Sequence, residues 1–136
     1  MQLHQPTLLG KKVLVVGLGR SGVAAARLCA ARGAQVTVTD RQPTDVLTAA
    51  LAQLSPTIKQ ELGGHRSETF LAADLIVLSP GVPALSEVEA ARQRGATITG
   101  ELELASWFVD APIVAVTGTN GKSTTKIGRA SCRERV

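Results

Sequence analysis

Aromatic side chains are scarce in this chain of 136 residues: only 2% are aromatic, and they are Phe70, Trp107 and Phe108. Proteins that bind single-stranded nucleic acids stack the bases on aromatic rings, so this scarcity argues against such a function. Cysteine is also rare, with Cys29 and Cys132 alone. No apolar run approaches the roughly 20 residues needed to cross a bilayer. We therefore expect neither nucleic acid nor a membrane among the partners.

The last ten residues, 127–136, differ from everything before them. They show no helical or strand periodicity, and they hold three arginines against one glutamate. Without them the formal net charge of +4 falls to +2, so the basic character belongs partly to this segment. The segment can be back-translated into a DNA string that matches a widely used sequencing adapter. We expect a translated adapter rather than a natural basic tail, and such a scar carries no information about the fold.

With Cys132 set aside as part of that segment, Cys29 has no cysteine partner within the chain. A single free cysteine is expected in a reducing compartment, and we predict a cytoplasmic protein. Cys29 shares a predicted helical face with Gly22, Ala25 and Ala26, which are all very small. This face is expected to lie close to a sheet, with Cys29 as a buried and unreactive thiol.

Apolar β-branched segments alternate with helical segments along the chain. The continuous runs of valine, leucine and isoleucine are typical of strands buried in parallel sheets. Strand and helix in alternation predict an α/β fold with helices on both faces of the sheet. Strands are expected at 12–17, 35–40, 58–62, 74–78, 96–99 and 113–116, and helices at 20–32, 44–54, 85–94 and 101–108. Pro112 suggests a domain boundary, with one domain at 1–110 and the start of another at 111–126.

A glycine loop of the form GxGxxG, Gly17-Leu18-Gly19-Arg20-Ser21-Gly22, joins the first predicted strand to the first helix. Gly17 permits a tight turn, Gly19 lets the backbone approach a phosphate, and Gly22 lets the helix pack on the sheet. The helix N-terminus then offers free N–H groups to an anion.

Asp40 ends the next strand, 23 residues after Gly17, where dinucleotide folds place an acid on the ribose. Alone, the loop and this acid indicate an NAD-dependent dehydrogenase domain. A nucleotide-binding module without catalytic activity is another interpretation.

A second phosphate-binding loop is predicted at Thr117-Gly118-Thr119-Asn120-Gly121-Lys122-Ser123-Thr124. It resembles the GxxxxGK[ST] loop, although Val116 stands at the first glycine position. In such loops the backbone N–H groups hold phosphates, the lysine reaches the terminal phosphates and the hydroxyl binds Mg²⁺. We predict ATP and Mg²⁺ as cofactors, Lys122 as catalytic and Ser123 as the metal ligand. The predicted ATP-binding residues are Gly118, Thr119, Asn120, Gly121, Lys122, Ser123 and Thr124.

Taken together, the two loops resemble the Mur ligase family. Segment 117–124 is similar to the ATP-binding signature of these ligases and of their folylpolyglutamate synthase relatives, and only some of them open with a Rossmann-like domain bearing a GxGxSG loop. The stretch 11–125 resembles the N-terminus of the branch that joins D-glutamate to UDP-N-acetylmuramoyl-L-alanine, with further matches at 73–81, 100–104 and 111–116. A phosphate loop directly after a Rossmann-like unit argues against the dehydrogenase.

The resemblance implies an ATP-dependent ligase of peptidoglycan precursor synthesis. ATP phosphorylates the carboxylate of UDP-N-acetylmuramoyl-L-alanine, and the amine of D-glutamate attacks the acyl phosphate. The first domain is expected to bind UDP rather than NAD. The implied contacts are Gly19, Arg20, Ser21, Asp40, Arg41 and Gly81, with Arg20 either on a phosphate or toward solvent. Because the resemblance ends early in the second domain, we expect a monomeric fragment that is inactive alone.

Overall fold

The computed structural model of the protein describes residues 6–112, which form a five-stranded sheet with helices packed on both faces. The elements are β1 Lys12–Val16, α1 Arg20–Ala31, β2 Gln35–Asp40, α2 Thr48–Leu51, β3 Lys59–Leu62, α3 Ser67–Ala72, β4 Leu75–Leu78, α4 Ser86–Gln93, β5 Thr97–Gly100 and α5 Glu101–Ser106. Neighbouring strands of this sheet are parallel, in the order β3-β2-β1-β4-β5. The predicted α/β class with a Rossmann-like parallel sheet is confirmed.

Several predicted features lie outside the described residues. These are the strand at 113–116, the ATP-binding loop at 117–124 and the adapter-like segment at 127–136. They stay predictions, as does the division of the chain into domains at residues 110 and 111.

The connections between strands place a crevice beside β1. The chain builds β2 and β3 on one side of β1 and then crosses over to place β4 and β5 on the other side. The connection after β1 therefore leads to one side of the sheet, and the connection after β4 leads to the other. In open α/β sheets such a change of direction leaves a crevice at the carboxyl ends of the strands, where ligands bind.

Alternate side chains of β1 belong to two separate hydrophobic clusters. Val13 and Val15 are buried with the inner face of α1, whereas Leu14 and Val16 are buried with Phe70 of α3. Successive side chains of a strand point to opposite faces, so a continuous apolar run requires cover on both faces. This burial holds the carboxyl end of β1 firmly in place between two layers of helices.

Small residues let α1 lie close to the sheet. Gly22, Ala25, Ala26 and Cys29 are all buried, as expected from their shared helical face. The Cys29 side chain is fully enclosed, and desolvation by burial raises the pKa of its thiol to about 11. The thiol is therefore protonated at neutral pH, which agrees with the predicted unreactive cysteine.

The second helix is much shorter than predicted. A helix was expected over 44–54, but α2 covers Thr48–Leu51 alone. Before it, Val46 N–H donates to Pro43 O (3.2 Å) and Leu47 N–H donates to Thr44 O (3.1 Å). These bonds span three residues and form tight turns rather than α-helix.

A short helix, α3 at Ser67–Ala72, was not predicted. It has six residues, and Phe70 is its one buried side chain. A segment this short with one buried position shows no helical periodicity in the sequence. Its place is determined by the tertiary contact of Phe70 with the sheet.

Candidate nucleotide-binding site

A pocket of about 300 Å³ opens at the carboxyl ends of β1, β2 and β4, in the crevice described above. Its walls come from the glycine turn, the end of β2, the loop before α3 and the loop after β4. The lining residues are Val16, Gly17, Leu18, Gly19, Ser21, Gly22, Asp40, Arg41, His65, Ser79, Pro80, Gly81, Val82 and Pro83. Segments far apart in the sequence therefore meet here.

Close packing requires glycine at two positions of the first turn. Gly17 has a φ of +94°, and a Cβ there would lie 2.9 Å from Ser79 Cβ. At Gly22 a Cβ would overlap the carbonyl oxygen of Gly17 and lie 2.9 Å from Ser79 Oγ. The predicted roles of Gly17 in the turn and of Gly22 in helix packing are thus matched by contacts. At Gly17 and Gly22 the packing of α1 against β1 leaves no room for a side chain.

The start of α1 leaves backbone donors outside the intrahelical hydrogen bonds. The first bond into the helix runs from Val23 N–H to Gly19 O (3.0 Å), so the N–H groups of residues 20–22 precede the intrahelical pattern. A Cβ at Gly19 would meet nothing within 4 Å, and the first turn contains no acidic residue. The helix dipole adds about half a positive charge at this end. This arrangement suits a phosphate or diphosphate.

Asp40 ties the glycine turn to the end of β2. Its Oδ2 accepts a hydrogen bond from Leu18 N–H (2.7 Å), and its Oδ1 accepts one from Gln42 N–H (2.9 Å). The sequence predicted a ligand contact for Asp40, and the structure adds a bracing role. Each oxygen keeps a lone pair for a ligand, since a carboxylate has about four acceptor positions.

Ser79 and Glu101 hold the opposite wall of the pocket. Ser79 Oγ lies 3.0 Å from Gly17 O and 2.7 Å from Glu101 Oε1. These contacts join the glycine turn, the loop after β4 and the first residue of α5. No role for Ser79 was predicted, because its partners are 62 and 22 residues away along the chain.

His65 is a further pocket residue to which the sequence assigned no function. Its Nδ1 lies 2.9 Å from Thr39 Oγ1. Its ring meets the edge of Phe70, with centroids 5.8 Å apart at an interplanar angle of 80°. The ring is therefore held from two sides while it lines the pocket.

The structure brings five of the six predicted UDP contacts to this pocket: Gly19, Ser21, Asp40, Arg41 and Gly81. The sixth, Arg20, is exposed at the start of α1 and does not line the pocket. Its contact with a ligand stays a prediction.

A larger groove, of about 560 Å³, lies toward the amino ends of β1, β2 and β3. Lys12, Gln35 and Lys59, the first residues of these strands, line it together with Glu61. It contains neither a glycine turn nor the start of a helix of α1's length. The smaller pocket, whose backbone groups suit phosphate, is therefore the candidate site for a nucleotide.

Two features are absent from residues 6–112. No group of three or more His, Cys, Asp or Glu side chains there is arranged to hold a metal ion. No helix in this range has the length and apolar character needed to cross a membrane. The predicted Mg²⁺ ligand, Ser123, lies outside the described residues.

The fold defines an α/β domain of the Rossmann-like class, with a candidate phosphate site at the start of α1. Residues 11–100 match the family model described as Mur ligase MurD-like, N-terminal domain. The chain belongs to this family, as its two glycine loops led us to expect.

Curated relatives support the same assignment. The chain is 57% identical over 122 residues to a UDP-N-acetylmuramoylalanine--D-glutamate ligase of Anaeromyxobacter dehalogenans, and the match covers 88% of this chain and 26% of the relative. It is 50% identical over 119 residues to the enzyme of the same name from Bdellovibrio bacteriovorus, with 86% and 26% covered. The chain thus spans about a quarter of the length of these relatives.

Solved structures agree on the fold. A pseudomurein peptide ligase type C from Methanothermus fervidus is 29% identical, with a TM-score of 0.55, over 86% of this chain and 24% of that protein. An L-alanine dehydrogenase is 23% identical with a TM-score of 0.55, over 69% of this chain and 30% of that protein. The latter likeness shows the fold alone.

Proposed function

We propose that this domain binds the UDP part of UDP-N-acetylmuramoyl-L-alanine for a ligase that adds D-glutamate to it. The observation that carries the proposal is the meeting of five predicted UDP contacts in one pocket at the start of α1. The names of the relatives supply the substrate, and the N–H groups that precede the first intrahelical bond of α1 supply the chemistry for its diphosphate.

In this proposal the diphosphate lies over Gly19 and Ser21, and Asp40, Arg41 and Gly81 contact the rest of the nucleotide. The backbone N–H groups and the helix dipole oppose the negative charge. The side chain of Arg20 either pairs with a phosphate or points to solvent.

We also propose that loop 117–124 binds the phosphates of ATP, with Lys122 at the terminal phosphates and Ser123 on Mg²⁺. ATP would phosphorylate the substrate carboxylate, so that the amine of D-glutamate displaces phosphate from an acyl phosphate. A positive lysine and Mg²⁺ offset the charge on the moving phosphoryl group.

The chain spans about a quarter of its relatives, so we expect substrate binding without turnover. The check is phosphate release from ATP with the full 136-residue chain, Mg²⁺, UDP-N-acetylmuramoyl-L-alanine and D-glutamate. Turnover above the enzyme-free rate would contradict the expected inactivity of this chain.

The binding proposal is tested by placing a negative charge at the start of α1. Ser21 is exposed at the second position of α1 and lines the pocket. Ser21→Asp should lower the affinity for UDP about tenfold or more, because the carboxylate repels the diphosphate. Acids at a helix start favour the helix, so the variant should remain folded. Calorimetric titration with UDP measures the effect.

The matched control is Ser86→Asp, which adds the same charge at the exposed start of α4, outside the pocket. It should bind UDP as the parent chain does. Equal UDP affinity in both variants would overturn the placement of the diphosphate. Tight binding of NADH with none of UDP would favour the dehydrogenase interpretation instead.

A further inference from the structure

The peptide unit between Gly17 and Leu18 is held at both ends. Its N–H group, on Leu18, donates to Asp40 Oδ2 (2.7 Å), and its carbonyl oxygen, on Gly17, lies 3.0 Å from Ser79 Oγ. These two contacts come from opposite walls of the pocket. Gly19 and the start of α1 follow directly along the chain, so this peptide determines the direction in which the backbone enters the candidate phosphate site.

The Ser79 hydroxyl has a single proton and two acceptors. Besides Gly17 O, its Oγ lies 2.7 Å from Oε1 of Glu101, the first residue of α5. A carbonyl oxygen and an ionised carboxylate only accept hydrogen bonds, so the two oxygens compete for the same proton. Hydrogen bonds to a charged acceptor are shorter and stronger than those to a neutral one. The Glu101 carboxylate therefore draws the proton away from Gly17 O and weakens one of the two bonds that hold the peptide.

Glu101 also places a negative charge behind the pocket wall. It is half-buried, and no cation among residues 6–112 forms an ion pair with it. Its partner Ser79 lines the pocket, whereas Glu101 itself does not. The carboxylate therefore stands one side chain away from the space in which we place a diphosphate. Like charges repel each other, and partial burial strengthens this repulsion.

We propose that Glu101 limits the affinity of the pocket for a diphosphate, and that it acts partly through Ser79. The inference rests on the proposed function, because it concerns the same site. Two effects have the same direction: the carboxylate repels the anion, and it weakens the bond that holds Gly17 O in place. A less ordered turn costs more free energy to fix when a ligand binds. Glu101 is thus a positioning residue whose charge lowers the affinity of the site.

The test is Glu101→Gln in the 136-residue chain. Glutamine has nearly the same shape, lacks the charge and can donate an N–H to Ser79 Oγ, which leaves the serine proton for Gly17 O. The variant should bind UDP roughly fivefold more tightly than the parent chain in calorimetric titrations. Uridine, which has no phosphate, should bind both chains equally in NMR titrations. A purely structural role for Glu101 predicts the opposite result, weaker binding of UDP by the variant.

The matched control is Glu103→Gln, which removes the same charge two residues later on α5. Glu103 Oε2 accepts a hydrogen bond from Thr99 Oγ1 (3.0 Å) and has no contact with Ser79. This variant should bind UDP as the parent chain does. An equal gain in affinity in both variants would show an effect of net charge alone and would overturn the assignment to Glu101.

Two measurements isolate the part of the effect that acts through Ser79. In a Ser79→Ala background no proton is shared, so Glu101→Gln should give a smaller gain in UDP affinity than in the parent chain. Without any ligand, the ¹³C resonance of the Gly17 carbonyl should move downfield in Glu101→Gln, because a stronger hydrogen bond deshields a carbonyl carbon. An identical gain in both backgrounds, or a Gly17 resonance that does not move, contradicts the competition for the proton.

The outcomes separate the two proposals. A parent chain that does not bind UDP contradicts the proposed function, while the Gly17 resonance still tests the competition for the Ser79 proton. If the parent chain binds UDP and Glu101→Gln binds it equally or more weakly, the role of Glu101 is overturned and the UDP site stands.

Discussion

Two of the loops that line the pocket, the turn between β1 and α1 and the loop before α3, are held in place by different means. In the turn between β1 and α1, a Cβ at Gly17 or Gly22 would collide with its neighbours. In the loop before α3, Gly63 and Gly64 have positive φ angles of 76° and 150°, but a Cβ at either would meet nothing within 4 Å. The first loop is determined by packing, and the second by backbone conformation and hydrogen bonds to β2. Substitutions in the first loop should therefore lower the free energy of unfolding most.

The largest expected effect is that of Gly22→Ala. The added methyl group overlaps Gly17 O, a backbone atom between two packed elements, so α1 must move away from β1. We expect a loss of about 3 kcal/mol in the free energy of unfolding, measured by urea denaturation. Gly19→Ala is the matched control three residues earlier, where a Cβ has open space, and it should cost less than about 1 kcal/mol. Equal losses would contradict the packing explanation.

Asp40→Ala tests whether the hydrogen bonds of the Asp40 carboxylate hold the glycine turn to the end of β2. The change leaves Leu18 N–H and Gln42 N–H without their acceptor, and Leu18 is buried. An unfolding free energy lower by about 2 kcal/mol is expected, and Asp40→Asn should lose less because it keeps one oxygen. Asp45→Ala, at an exposed turn position, should have no measurable effect. Thermal or urea unfolding of the three variants decides whether Asp40 braces the turn.

Ser79→Ala should have a smaller effect, of about 1.5 kcal/mol. It removes the hydroxyl between Gly17 O and Glu101 Oε1, on the wall opposite Asp40. A double-mutant cycle with Glu101→Gln measures the coupling, because residues in one hydrogen-bond network are not additive. Fully additive losses would show that Glu101 does not act through Ser79.

The smallest effect is expected from Gly63→Ala in the second loop. The alanine has space but must adopt a φ of +76°, which costs about 1 kcal/mol. Gly63→Asn should cost less, since asparagine tolerates this conformation. If Gly63→Ala proved as harmful as Gly22→Ala, the contrast between the two loops would fail.

The same contrast explains how much the sequence could predict. The first loop is local: strand, glycines and helix are adjacent in the chain, and the acid lies at the end of the next strand. The parallel sheet and five residues of the pocket followed from this pattern and from the family resemblance.

The second loop depends on tertiary contacts. His65 is held in position by Thr39, 26 residues before it, and by Phe70, five residues after it. In the sequence nothing distinguishes Thr39 from any other strand residue. The bond between Ser79 and Glu101 likewise joins two elements that only the folded sheet brings together. Short α3 was missed for the same reason, because Phe70 alone attaches it to the core.

The most direct test of the central claim is a ¹H–¹⁵N correlation spectrum of the 136-residue chain, recorded as UDP is added. Our account predicts that the shifted amides belong to Gly19, Ser21, Gly22, Arg41 and His65, at the carboxyl ends of β1 and β2. Shifts confined to the groove around Lys59 and Glu61, or no shifts at millimolar UDP, would contradict the assignment of this pocket as the UDP site.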